Sequence, residues 1–325
     1  MSVVASGMAR PRRAPPIPLL LFAGSLILYI AVALWTGQTS QLETDGWVGL
    51  LQRMVALGIV AVGQTFVILC GSIDLSVANL ISVGAVGASF IMQGDASMIA
   101  PAVAVVLAIS IVVGAINGAI IAKLNVNPFI ATLGVGLVLQ GLLSASFTNF
   151  AGSVPPAFQA FAYGALGPVP YSVLGLFALA LLAWWALRTT KFGAHLYAVG
   201  GNAEGARLAG VRTDLVVIGA HVVCSVLAGV TGLYLASRLR SGAPWVGREG
   251  VYDLESIAVV VIGGTLLAGG RGGVWGTLAG VLLFATLDAT FNMLGVPPYP
   301  KLILRGAIVI LAVAAYAVRS REHVA

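Results

Sequence analysis

The sequence predicts an all-α integral membrane protein, a bundle of about ten transmembrane helices, and three observations carry that prediction. Hydrophobic residues make up 59% of the 325, charged residues only 9%, and the mean hydropathy is +1.02; soluble domains hold roughly a quarter charged residues. The 41 glycines suit helices that pack closely in lipid, where small residues let backbones approach. The apolar residues also fall into runs long enough to cross about 30 Å of hydrocarbon, which takes about 20 residues at about 1.5 Å each.

The runs lie near 17–36, 50–70, 75–93, 98–122, 128–148, 170–187, 215–236, 254–268, 274–292 and 302–318. Arg10, Arg12 and Arg13 precede the first, and Ala31-Val32-Ala33 resembles a cleavage site, but the run stays apolar to Trp35 and reads as an uncleaved span. Only GSIDLS separates the second and third runs, and the eighth is short and ends in glycines, so these are expected to be broken helices. Asp74, inside GSIDLS, reads either as a cap for the helix that follows or as a functional carboxylate. Gly114 with Gly118, and Gly276 with Gly280, form GxxxG pairs that signal packing. Cys70 and Cys224 lie in apolar runs and read as small buried hydrophobes rather than a disulfide.

The net charge of +6 sits at the ends of these runs, so it reads as a topology signal facing lipid headgroups, with no call for nucleic acid. Ten spans with both termini cytoplasmic place Arg10, Arg12, Arg13, Lys123, Arg188, Lys191, Arg207, Arg212, Arg271, Arg319 and Arg321 inside. Arg53, Arg238, Arg240, Arg248, Lys301 and Arg305 fall outside. Eleven of the 17 basic residues inside favours this orientation. The expected organisation is a cytoplasmic tail over 1–16, a transmembrane domain over 17–318 with a polar loop at 188–214, and a cytoplasmic tail over 319–325.

Several chemistries are excluded. No lysine follows a GxxxxG pattern, so the chain is not expected to hydrolyse ATP by a P-loop. His195, His221 and His323 are scattered, and neither HExxH nor GxSxG occurs, so no metal or hydrolytic site is expected. Asp74 and Asp288 are the acids placed at membrane depth, with Asp288 read as interfacial near Asn292. An ion-coupled carrier would need more such groups.

Against this background the polar segment RTTKFGAHLYAVGGNAEGARLAGVRTD at 188–214 stands out. Ala203–Ala209 has helix-forming character, Asn202 suits an N-cap and Gly210 a C-terminal stop. So short a helix is marginal in water unless a partner stabilises it. A second segment, 253–280, is interrupted by Gly263, Gly264, Gly269, Gly270, Gly272 and Gly273, which is costly unless the backbone bends or packs tightly there.

Five ordered blocks carry a family resemblance: GQTFVILCGSIDLSV (63–77), NGAIIAKLNVNPFIATLG (117–134), KFGAHLYAVGGNAEGARLAGV, YDLESIAVVVIGGTLLAGGRGGVWGTLAG and GVPPYPKLILRGAIVIL. In them the chain resembles the ribose-type permease subunits of bacterial ABC sugar importers, nearly end to end and most densely over 191–311. The resemblance implies a type II importer fold in the bacterial inner membrane, with no catalytic residue, metal or cofactor on this chain. It also implies a separate ATPase subunit that binds ATP and Mg, a periplasmic sugar-binding protein, and a second permease chain, identical or paralogous. In that family the cytoplasmic loop docks on the ATPase, which points to Gly200, Asn202, Glu204, Ala206, Arg207, Leu208, Ala209 and Gly210 as the coupling residues here. Ser72 and Ala78 stand where the family usually shows glycine, and both are small.

Arg238, Arg240 and Arg248, with Arg305 near them, are expected to form an external basic patch for an acidic binding protein. Gln64, Asp74, Ser76, Asn79, Asn117, Asn127, Thr132 and Gln140 are polar residues on apolar spans, read equally as pathway contacts or as hydrogen bonds between helices. The substrate reads as a ribose-like pentose or a hexose. The alternatives are branched-chain amino acids or nucleosides within the same superfamily, or an ion-coupled secondary carrier.

Overall fold

The computed structural model describes residues 17–307 and 310. The two tails, the arginines within them and most of the final apolar run lie outside the described residues. Thirteen helices follow in chain order among them: α1 Ile17–Trp35, α2 Thr44–Leu69, α3 Val77–Met92, α4 Ile99–Leu124, α5 Pro128–Ser146, α6 Pro156–Tyr163, α7 Tyr171–Thr189, α8 Lys191–Gly201, α9 Ala203–Leu208, α10 Thr213–Leu239, α11 Val246–Glu249, α12 Tyr252–Ile262 and α13 Val274–Met293. A further helical stretch, α14, covers 298–307. A two-stranded hairpin, Ala165–Leu166 against Val169–Pro170, joins α6 to α7.

Among the described residues seven helices are long and apolar enough to cross a membrane: α1, α2, α4, α5, α7, α10 and α13. Of the runs expected to be broken, the second forms the unbroken α2, while the third and eighth give short helices. The 16 residues of α3 reach about 24 Å and the 11 of α12 about 16 Å at about 1.5 Å each. Each stops for a local reason. The non-helical Gly71–Ser76 segment precedes α3, and α12 ends at Gly263 and Gly264, beyond which Gly269, Gly270 and Gly272 hold positive φ angles of 88°, 74° and 136°. The run expected at 254–268 therefore ends as a helix at Ile262. The run expected from residue 50 starts earlier, because Thr44 and Asp45 open α2 with an acid in its first turn. Arg53, placed outside by the expected topology, lies within α2.

The core is built around α2, which is buried almost continuously from Met54 to Leu69. Helices α10, α13, α12 and α7 pack on it, α3 and α4 pack on α10 in turn, and the glycine pairs set how near the helices come. A methyl on Gly114 would sit 2.6 Å from the Val222 Cα, and one on Gly118 2.5 Å from the Ile218 Cα. Gly276 and Gly280 meet the Gly263 and Val259 carbonyls of the α12 end in the same way. Both GxxxG pairs thus lie at helix crossings. Outward faces of α4, α5 and α7 expose Ile111, Val112, Leu137, Leu142, Leu181 and Trp185, as lipid contact requires. Cys70 and Cys224 are buried and free.

Candidate coupling site

The polar loop folds as two helices. Thr190 caps α8, its Oγ1 accepting from the Gly193 amide at 3.2 Å. Leu196 and Val199 of α8 are buried, and Phe192 stacks on Phe66 of α2 at 6.4 Å. The Tyr197 hydroxyl donates to the Gly272 carbonyl at 3.0 Å. This helix had no signature beyond the polarity of its stretch.

The expected second helix is α9, with Asn202 as its N-cap: the side-chain oxygen accepts from the Gly205 amide at 2.9 Å. Gly210, at φ 85°, closes it, its N–H donating to Arg207 and that of Val211 to Ala206. Ala206 is buried. Glu204 and Arg207 pair at 2.8 Å on the exposed side, and that hydrogen bond raises the Arg207 guanidinium above its ordinary value. Leu208 is 80% exposed, an apolar side chain pointing away from the protein.

The loop meets the bundle through backbone. The Gly270 amide donates to the Leu69 carbonyl at the end of α2, 3.0 Å away. Gly200, near the end of α8, lies against both: a methyl there would fall 1.9 Å from the Leu69 oxygen and 2.5 Å from the Gly270 nitrogen. Gly269 in turn packs on Gly200 and Gly71. Three elements, α2, α8 and the glycine turn after α12, therefore share one contact that has no side-chain slack. Of the expected coupling residues, Gly200 is in this junction and the other seven are on α9 and its caps.

Directly beyond the junction lies a buried polar network. Asp74 accepts from the Ser76 amide (2.9 Å) and hydroxyl (2.6 Å), an Asx turn that leads into α3 without capping it. Its other oxygen faces His221 Nδ1 at 3.2 Å, and His221 Nε2 meets the Ser72 hydroxyl at 2.9 Å. A carboxylate only accepts, so Nδ1 carries the proton toward it. Asn117 donates to the Ser76 hydroxyl at 2.9 Å, and the Thr132 hydroxyl accepts from the Leu75 amide at 3.1 Å. Gln64 accepts from Cys224 at 3.3 Å. Gln64, Asp74, Ser76, Asn117, Thr132 and His221 are all 0% exposed. His221, read from the sequence as one of three scattered histidines, is the partner of Asp74.

The remaining expected residues are dispersed. Asn127 is exposed and caps α5, accepting from the Phe129 amide at 2.9 Å. Asn79 is half-buried on α3 beside Gly136, and Gln140 is half-buried on α5. Arg238, Arg240 and Arg248 are exposed but held differently. Arg238 donates to the Tyr234 hydroxyl at 3.1 Å, Arg240 lies 5.4 Å over the Tyr163 ring, and Arg248 is on α11.

Comparison with known proteins agrees with this architecture. A family model described as the permease component of branched-chain amino acid transport systems matches residues 46–313. The ribose import permease RbsC of Escherichia coli is 38% identical over 276 residues, 81% of this chain and 83% of that protein. The ribose import permease of Bacillus subtilis is 36% identical over 304 residues, 90% of each. The galactose/methyl galactoside import permease MglC of Escherichia coli is 35% identical over 276 residues, 79% of this chain and 81% of its own. No solved structure matches significantly. With that family model covering most of its length, the chain belongs to the family of branched-chain amino acid transport system permease components.

Proposed function

We propose that this chain is the transmembrane permease subunit of an ATP-driven importer that moves a monosaccharide, a ribose-like pentose or a hexose, across the bacterial inner membrane. Its similarity to ribose and galactose import permeases over most of both chains supports the substrate class. The chain crosses the membrane ten times with both termini in the cytoplasm, and the 188–214 loop faces the cytoplasm. ATP and Mg bind a separate ATPase subunit, a periplasmic protein delivers the sugar, and a second permease chain completes the pathway.

One observation carries the coupling role: α9 presents Leu208, 80% exposed, on a capped helix that is tied through α8 to the end of α2. An apolar side chain at the tip of a polar loop loses free energy in water and regains it in a partner's groove, about 1.5–3 kcal/mol for a fully buried leucine. Force on α9 passes to Gly200 and from there to the Leu69 and Gly270 backbone, where α2 and the turn after α12 must move together. The test is copurification of the full chain with an ABC ATPase subunit of sugar importers expressed in the same cells, for wild type and Leu208→Asp, with uptake of labelled D-ribose and D-galactose in those cells. Loss of both in the variant is expected. Copurification and uptake at wild-type levels would remove the coupling role from α9.

A further inference from the structure

The half-length helix α12 leaves a charged cavity in the bundle that opens to solvent on one side. The chain from Gly242 to Gly247 does not run freely outside but descends along α3. Gly242 pairs with Ala151, and a methyl on it would sit 2.5 Å from the Val86 Cα. The Gly247 amide donates to the Ser82 hydroxyl at 3.0 Å, with the Ala78 carbonyl in direct contact. Helix α12 therefore begins within the bundle, at Tyr252, and above it opens a cavity of about 270 Å³. Arg53, Arg238, Tyr252, Glu255, Asp288 and Arg305 line it. These come from α2, α10, α12, α13 and α14.

Charged groups at such a place cost free energy and mark function unless they are spent on one another. Here they are only partly spent. Arg305 bridges Glu255 at 3.0 Å and Asp288 at 2.7 Å, and Arg53 takes the second Asp288 oxygen. Three guanidiniums thus face two carboxylates. Among the described residues the second Glu255 oxygen, the Tyr252 hydroxyl and most N–H groups of Arg53 and Arg238 have no partner. A latch whose only purpose was to hold helices together would leave no carboxylate oxygen over. The left-over groups are acceptors and donors side by side next to an aromatic ring. That combination suits a neutral polyhydroxylated molecule, whose every hydroxyl both donates and accepts. Three guanidiniums against two carboxylates leave one positive charge over, so an anion is the competing ligand that the test must separate. The volume falls just under the range of about 300–1,000 Å³ usual for drug-sized ligands, as a smaller ligand needs. Discontinuous helices at mid-membrane are also where transporters place substrate sites.

We propose that this cavity is a sugar-contact subsite of the transport pathway, in which Glu255, Arg238 and Arg53 hydrogen-bond the hydroxyls of a neutral monosaccharide and Tyr252 offers its hydroxyl and ring. The inference rests on the monosaccharide reading above. It moves substrate contact away from Gln64, Asp74 and Asn117, which are sealed in the interior.

Two measurements test it separately. Uptake of labelled D-ribose and D-galactose by cells carrying the whole transporter tests the monosaccharide reading, and absence of uptake of both sugars overturns that reading and this one with it. Saturation-transfer NMR on the purified full chain in nanodiscs, with unlabelled D-ribose or D-galactose, tests the subsite. Wild type is expected to give a sugar signal, and Glu255→Gln and Arg238→Gln to weaken binding about tenfold each, the loss of one charge-assisted hydrogen bond. Tyr252→Phe, which removes one hydroxyl and keeps the ring, is expected to shift the ribose-to-galactose preference. Uptake with no signal from the wild-type chain overturns the subsite. So does a signal that all three variants leave unchanged, and so does displacement of the sugar by D-glucuronate at far lower concentration, which would make the ligand an anion.

Discussion

Replacing Gly200 with alanine should uncouple the loop from the bundle while replacing its neighbour Gly201 should not. The alanine methyl at position 200 would fall 1.9 Å from the Leu69 carbonyl oxygen and 2.5 Å from the Gly270 nitrogen, both backbone atoms. To relieve this the contact must open from 1.9 Å to at least 3.0 Å, a movement of about 1.1 Å. That breaks the Gly270-to-Leu69 hydrogen bond, worth about 1 kcal/mol net, and adds about 1–3 kcal/mol of overpacking strain. A total near 2–4 kcal/mol shifts the closed junction's population by about thirtyfold or more. At Gly201 a methyl meets nothing within 4 Å, and alanine there favours the helix by up to about 1 kcal/mol. The assay is ATP-driven sugar uptake at matched membrane expression, with ATP hydrolysis measured beside it. Gly200→Ala is expected to lower uptake at least tenfold with the ATPase still active, and Gly201→Ala to leave uptake within twofold of wild type. Equal uptake in the two variants would refute the argument that this junction carries the stroke.

Three further outcomes follow from the same geometry. Asn202→Ala removes the α9 cap, costs about 1 kcal/mol, and should speed amide exchange over 203–209 about fivefold in mass spectrometry without changing α8. His221→Leu strands Asp74 in the interior and should destabilise the chain by about 3 kcal/mol or more in detergent unfolding, whereas Asp74→Asn, which keeps the shape and one hydrogen-bond acceptor, should cost less; equal stability of His221→Leu and wild type would mean the pair contributes nothing. Arg240→Glu with Arg248→Glu should weaken docking of the periplasmic binding protein more at low than at high salt, because screening suppresses exposed charge attraction, and unchanged docking at low salt would remove these arginines from that surface.

Much of the fold was legible because lipid leaves the chain few choices: a long apolar run must be helical, and the runs at 17–36, 98–122, 128–148 and 215–236 became α1, α4, α5 and α10 with small changes at their ends. The breaks at 71–76 and after Ile262 were visible as GSIDLS and the glycine cluster. Local chemistry also marked α9, since Asn202, Ala206 and Gly210 sit where cap, buried face and stop belong. What escaped was either short or distant. The eight-residue α6 has too little periodicity to register. His221 meets Asp74 from 147 positions away, and Arg305 meets Glu255 from 50, so no local spacing announces either pair. The expected topology places Arg53 with the external charges, but α2 starts at Thr44 and carries the arginine into the cavity. The three arginines of the supposed external patch are close in sequence, yet the descent of 242–247 along α3 gives Arg248 a different setting from Arg238 and Arg240.

In the proposed mechanism a separate ATPase drives sugar through this chain by way of the 200–210 segment. The most direct measurement is sugar uptake into proteoliposomes containing the chain with its ATPase and binding protein, set beside liposomes containing the chain alone under an imposed proton or sodium gradient. Uptake is expected to require ATP and all three components and to be lost on Leu208→Asp, with none from the chain alone. Gradient-driven uptake by the chain alone, or ATP-driven uptake that survives Leu208→Asp, would contradict it.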